Sequence, residues 1–165
     1  MAYYRGWARN SESRYLTVTM DESLNTWIFQ ANPNDYIIHE SLRTENRELW
    51  NCRQHAKKIS SGDRVLIWIC GKEAGIYAVG TVETDPEERP DSVVGRGYWK
   101  KKREGERWYP RVSVSYQTVL LDKPLLKKFL MWDPELDNLK IIANPRGTNF
   151  SVSQLEWEAI KLWLE

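Results

Sequence analysis

The chain has 165 residues, 41% hydrophobic and 28% charged, with a formal net charge of +1; this is the profile of a single globular domain large enough for one good core. Near-neutral charge gives no global nucleic-acid signal, so any basic surface is local. No apolar run approaches the roughly 18–20 residues that span a bilayer, and the start MAYYRGWARNSESRY lacks the apolar segment of a secretory signal.

Residues 1–23 read as an N-terminal extension, with RYLTVTM as a strand in polar surroundings, and 24–165 as the domain. TWIFQA (26–31) is a short apolar run of strand type. NPND ends it and places Pro33 at the first position of a short helix through DYIIHESL. ELWNC reads as a strand, and RQHAKKISSGD as a helical turn with a hairpin-like loop. RVLIWIC (64–70) is almost continuously apolar, hence a strand buried on both faces. After the turn GKEAG, GIYAVGTVET (75–84) returns as its partner, with Ile76, Ala78 and Val82 on one face and Tyr77 and Val79 on the other. Gly80 marks a bulge or a close backbone approach.

The segment from Asp85 to Tyr109 exceeds the length of about 12–15 residues above which loops are usually functional or disordered. It is expected to form a mobile tongue that orders on binding. RVSVSYQTVLL (111–121) alternates with period two, as a strand does. KPLLKKFLM reads as a short amphipathic helix begun by Pro124, and LKIIANPRGTNF as an apolar segment and a turn. SVSQLEWEAIKLWLE is the last helix, opened by the capping box of Ser153 and Glu156, with Leu155, Ala159 and Leu162 on one stripe. Strands grouped centrally with helices around them make the fold class α+β, built on a small, curved or barrel-like, mostly antiparallel sheet.

Catalytic constellations are sparse. His39 and His55 have no metal-ligand spacing and sit in no nucleophile elbow; there is no glycine-rich phosphate loop and no zinc deaminase signature. Cys52 and Cys70 form neither a disulfide framework nor a metal motif, which implies a reducing, cytoplasmic setting with no metal and no cofactor. Stacking residues, in contrast, abound: nine tryptophans and eight tyrosines. Tryptophan is the side chain best suited to stack on flat groups or cage cations. That balance favours a binder over an enzyme. Trp27 and Trp68 lie in apolar strands and read as core, while YWKKKREGERWYP (98–110) brackets a basic run with four aromatics.

Four segments in order, WIFQANPNDY, LWNCRQHAKKISSGDRVLIWICGKEAGIYAVGTV, a long loop into RVSV, and GTNFSVSQLEWEAI, resemble the EVE domain of the PUA-like superfamily. That family is related to the YTH readers of N6-methyladenine in RNA. GDRVLIW followed by GIYAVG carries most of the likeness. The resemblance implies a compact PUA-like barrel with helices packed around it. It also implies a non-catalytic pocket for one extruded base: methylated or hydroxymethylated cytosine, or methyladenine. Related modules serve modification-dependent restriction systems, which implies DNA slightly ahead of RNA as partner, and a nuclease in a fused domain or a separate protein.

Carried over residue by residue, the first YTH cage tryptophan falls on Trp50, with Asn51 and Cys52 beside it, and the second on Trp108 in WYPRVSV. Contacts to the base edge fall on Gln30, Asn32, Asp35 and Tyr36. Trp99 or Tyr98 is the candidate third wall. Lys100, Lys101, Lys102, Arg103 and Arg107 can hold phosphates, with Arg53, Lys57 and Lys58 as a second basic edge. Stacking contributes about 1–3 kcal/mol per base, roughly the cost of extruding one, so phosphate contacts must add the rest and make binding salt-dependent. Two other readings stay open. A PUA-like hydrolase or ribonuclease of ASCH type needs Lys57, Glu83 or Glu104 to converge in the cavity. A cage for methylated lysine wants acidic groups at its wall, which the basic run opposes.

Overall fold

The structure, a computed structural model, describes residues 24–165; the strand expected at RYLTVTM and the extension around Trp7 lie outside the described residues. Among the described residues eight strands form one curled sheet: β1 (Thr26–Ala31), β2 (Arg47–Asn51), β3 (Arg64–Ile69), β4 (Gly75–Val82), β5 (Glu87–Arg89), β6 (Tyr109–Val119), β7 (Leu125–Leu126) and β8 (Asn149–Val152). The order is β2-β6-β4-β3-β1-β8, with β5 added to β6 and β7 to β4. Among the described residues only β1 and β3 run parallel; the other pairs are antiparallel. The class is therefore α+β, with the mostly antiparallel sheet the strand pattern implied. The 11-residue β6 pairs with β2, β4 and β5 in turn, so it is the strand about which the sheet curls.

The apolar runs are continuous because both faces of the central strands are covered. From β1 and β3, Trp27, Phe29, Val65 and Ile67 enter a cluster with Trp50 and Tyr77. Ile28, Leu66 and Trp68 enter a second cluster with Leu130, Trp157 and Ile160. Trp27 and Trp68 are core residues, 3% and 2% exposed.

Strand β4 departs from simple alternation. Ile67 pairs with Ala78 but Trp68 with Ile76, so Tyr77 is an extra residue. This bulge shifts the phase: Ala78 joins Tyr77 and Val82 in the first cluster, and Ile76 and Val79 pack with the second. A second register step falls at Val79/Gly80, where Tyr116 and Thr118 of β6 flank an extra Gln117. A Cβ on Gly80 would lie 2.5 Å from the Ser115 carbonyl oxygen and 2.9 Å from Val114 Cγ1. Gly80→Ala is accordingly expected to cost about 1–3 kcal/mol by forced shifts in a packed sheet, read by chemical denaturation; an unchanged midpoint would show that β6 yields freely there.

The helices correct several expectations. Pro33 lies in a turn, not at a helix start: Tyr36 forms an isolated bridge with Trp99, and this extended pairing delays the helix α1 (Ile38–Thr44). The segment 85–109 is folded, not an open tongue. It holds β5 and two short helices, α2 (Val93–Arg96) and α3 (Lys102–Glu106). Its organiser is Asp91, 2% exposed. The carboxylate accepts from the Ser92 backbone and from Trp99 Nε1, both at 2.7 Å, and packs so tightly on Gly95 that a Cβ there would meet Oδ1 at 2.3 Å. Backbone bonds from Ile37 to the Tyr98 carbonyl and from Lys100 to the Asp35 carbonyl then lace the segment to the body.

Downstream, Leu125 and Leu126 pair with Ile76 and Gly75, so the helix expected from Pro124 begins later, as α4 (Lys127–Leu130). A single turn, α5 (Lys140–Ala143), leads to β8, which takes Ser151 and Val152 from the expected last helix. That helix, α6 (Gln154–Leu164), opens with both bonds of the Ser153–Glu156 capping box. Leu155 and Leu162 are exposed, and the face toward the core carries Trp157, Ala159 and Ile160, the bulkier stripe. Among the described residues no helix is long and apolar enough to cross a membrane.

Candidate functional site

A cleft of about 620 Å³ opens where the ends of β1, β2 and β6 meet the folded 85–109 segment, a size typical of small-ligand sites. Trp50 and Trp99 both line it. Trp50 is 8% exposed and tilted against Phe29 at 6.1 Å between ring centres. Trp99 meets Tyr36 edge-on at 5.0 Å and is fixed by its bond to Asp91.

The floor carries a buried carboxylate. Glu48 lies two residues before Trp50 on β2, so both side chains leave the same face of the strand. Tyr36 Oη donates to Glu48 Oε1 at 2.6 Å, and Tyr116 Oη donates to Oε2. Trp50 Nε1 donates to Tyr116 Oη at 2.8 Å. Burial raises the Glu48 carboxyl above the ordinary carboxylate range, outweighing the bonds from Tyr116 and Tyr36 that act the other way. Burial, then the neighbouring Glu48 charge, raises both phenols as well.

A carboxyl raised on folding holds its proton more tightly in the native state. Its contribution to stability is full below the unfolded carboxylate value and is lost as pH rises through the raised folded value. Glu48→Gln removes that loss. The melting temperature of the variant is therefore expected to gain on the parent as pH rises from about 4 to 8, in thermal melts of the two proteins; a gap that does not vary with pH would contradict it.

On another wall, three arginines gather round Tyr109. The Arg53 guanidinium lies 4.8 Å from the ring centre and that of Arg111 5.7 Å, while Arg107 Nη1 donates to Tyr109 Oη at 3.3 Å. Arg111 is buried and donates to the carbonyls of Arg89 and Arg107. Burial lowers its pKa, which Asp91 counters. The rim at 145–148 is pinned by two glutamines. Gln30 Nε2 donates to the carbonyls of Pro145 and Gly147, and Gln54 Oε1 accepts from the backbone of Thr148 and Asn149.

Of the residues expected at the base, Gln30, Asn32, Asp35, Tyr36, Trp50, Asn51 and Trp99 line this cleft together. Several are already engaged: Asn32 Oδ1 accepts from the Asn34 backbone and Asn51 Oδ1 from that of Arg53. Cys52 is fully buried and outside the lining, its thiol pushed up to about 11 by burial. Trp108 is also outside it and 68% exposed. Strand β6 opens only at Tyr109, so Trp108 precedes the pleat that sets Tyr109 and Arg111 on the cleft. Among the expected phosphate contacts, Arg53 and Arg107 line the cleft, whereas Lys57, Lys100, Lys101, Lys102 and Arg103 are exposed and outside its lining. Glu48, Asp91, Tyr109 and Arg111 were not anticipated; alternation from Trp50 would have found Glu48. Of Lys57, Glu83 and Glu104, only Glu104 reaches the cleft. Among the described residues no group of three histidine, cysteine or acidic side chains is placed to hold a metal ion.

A family model described as "EVE domain" matches residues 25–161. No curated protein matches the chain. Solved structures share the fold at low identity. A hypothetical protein from Leishmania major aligns with a TM-score of 0.64 and 19% identity, over 85% of this chain and 94% of that one. Human THYN1, solved in complex with 5-methylcytosine-containing DNA, aligns with a TM-score of 0.63 and 13% identity, over 86% and 98%. A Rhodopseudomonas palustris protein solved by NMR aligns at 0.62 and 14%, over 83% and 90%.

Proposed function

Because the chain belongs to the EVE domain family, we propose that it is a non-catalytic reader of nucleic acid that takes one extruded, modified base into this cleft. The observation that carries the reading is the joint lining: two tryptophans, a buried carboxylate and three arginines open onto one cavity. Trp50 and Trp99 are the stacking walls, Tyr36 and Glu48 face the base edge, Arg53 and Arg107 receive the adjoining phosphates, and the buried Arg111 lends positive charge to the cleft. The exposed Lys100, Lys101, Lys102 and Arg103 extend that basic edge along the strand, and Trp108 serves the flanking nucleotide rather than the base itself. DNA carrying 5-methylcytosine is the first ligand to try, as the ligand of the structurally similar human THYN1. The reading unit is 24–165, with 1–23 as an extension. In a restriction setting any cutting would fall to a fused domain or a separate nuclease. The hydrolase reading lacks its convergent set, since Lys57 and Glu83 stay outside the cleft.

A second reading has one observation in its favour: Asp35 and Glu48 put the acidic groups of a methyl-lysine cage beside the aromatics. Fluorescence titration separates the two. A methylated oligonucleotide is expected to bind more tightly than its plain match, with affinity falling steeply as salt displaces the phosphate contacts. Equal affinity for both oligonucleotides would overturn the preference for a modified base, and tighter binding of a trimethyl-lysine peptide would put the second reading in place of the base reader.

A further inference from the structure

Hydrogen-bond polarity at the cleft floor is fixed by a single indole. Trp50 Nε1 can only donate, so Tyr116 Oη accepts from it, and the lone phenolic proton of Tyr116 is committed to Glu48 Oε2. Tyr36 commits its proton to Oε1. In its ionised form Glu48 is thereby an acceptor at both oxygens. A carboxylate offers about four acceptor positions. The phenols fill two and the Ser41 hydroxyl acts on the group as well, so at least one remains on a side chain that lines the cleft. Among the described residues Glu48 has no cationic partner: the side chains that act on it are Tyr116, Tyr36, Ser41 and Asp91. A buried, unneutralised acceptor with spare capacity calls for a donor from the ligand.

We propose that Glu48 reads the exocyclic amine of the extruded base, so that the cleft accepts amino bases and excludes keto bases. The inference rests on the base-reader function above and adds the specificity determinant to it. For cytosine-type ligands the amine at position 4 is the natural donor to a carboxylate. 5-Methylcytosine and thymine carry the same methyl group and differ at that edge: an amine in one, a carbonyl in the other. Thymine would set an acceptor against an acceptor and leave both unpaired in a buried site, the arrangement by which polar sites reject analogues most strongly. The cleft would thus distinguish a methylated cytosine from its own deamination product, a distinction that methyl recognition alone cannot make.

Four single-stranded oligonucleotides identical except for one central base, 5-methylcytosine, cytosine, thymine or uracil, test this without any pairing cost. The 5-methylcytosine strand is expected to bind at least tenfold more tightly than the thymine strand. In Glu48→Gln, whose amide can donate to a carbonyl, that ratio is expected to fall toward one. Thymine binding as well as 5-methylcytosine, with both above cytosine and uracil, would overturn the role of Glu48 and leave methyl recognition standing. Retention of the full amine preference in a folded Glu48→Gln protein would also overturn it. No distinction among the four strands would instead defeat the base-reader function itself, and the inference with it; equal binding of 5-methylcytosine and cytosine, both above thymine and uracil, would keep the amine reading and overturn only the preference for the methyl group. The unmodified protein supplies the first comparison, so the proposal stays open to refutation even where the variant fails to fold.

Discussion

Trp50→Ala is expected to lower affinity for a methylated oligonucleotide by about 5- to 150-fold, the equivalent of roughly 1–3 kcal/mol of lost base stacking. The substitution also opens a cavity where Trp50 packs against Phe29, at a typical cost of about 3–5 kcal/mol in stability. Affinity must therefore be measured below the melting temperature of the variant, with folding checked by circular dichroism. Trp50→Phe separates the two effects. Phenylalanine keeps an aromatic face but removes the donor to Tyr116, so most of the stacking should survive while the floor network loses its fixed polarity. Wild-type affinity in a folded Trp50→Ala protein would remove Trp50 from the site.

Asp91→Ala is expected to cost on the order of 3 kcal/mol, because it strands buried donors that now point at a carboxylate. Trp99 Nε1 and the Ser92 backbone lose their acceptor, and Arg111 loses a nearby negative charge. The damage should be local before it is global. The Asp91 side chain is packed against Gly95, so its loss loosens the 92–99 stretch, while the backbone bond from residue 91 to the Gly105 carbonyl remains. Limited proteolysis is expected to cut this segment in the variant well before the central strands. Since Trp99 is the wall that Asp91 holds, base affinity should fall as well, although Asp91→Ala leaves Trp50 and Glu48 in place. Parent-like proteolysis and stability would show that the lacing of Tyr98–Lys100 onto Asp35–Ile37 suffices alone.

What could be read from the sequence was what repeats along one strand or one helix turn. RVLIWIC is apolar throughout because β3 sits between two layers, and Ser153 with Glu156 marks the start of α6 through bonds three residues apart. Gly80 signalled its close approach because a Cβ there would press on the Ser115 carbonyl oxygen. The cleft walls at Trp50 and Trp99 came from family resemblance and from the odd placing of aromatics around a basic run. The rest depends on contacts between distant segments. A bulge at Tyr77 moves Ala78 to the other face, and the start of β6 at Tyr109 takes Trp108 out of the cleft; neither is visible without the partner strand. Asp91 falls in the 85–109 segment, which the sequence marks only as an over-long loop. Its partner Trp99 lies eight residues on, and only the closed segment brings them together. Glu48 was within reach, two residues from Trp50, but a lone glutamate on a strand reads as exposed until both tyrosines are placed on it.

The central claim is that the base enters between Trp50 and Trp99, and indole N–H resonances report this directly. In a two-dimensional nitrogen–proton NMR titration with an oligonucleotide carrying one 5-methylcytosine, the Trp50 and Trp99 signals are expected to shift, while those of Trp132 and Trp163 stay in place. Their assignment follows from single Trp→Phe variants. Saturable binding that moves only Trp108, or no indole at all, would place the ligand on the basic rim and contradict the cleft as the reading site.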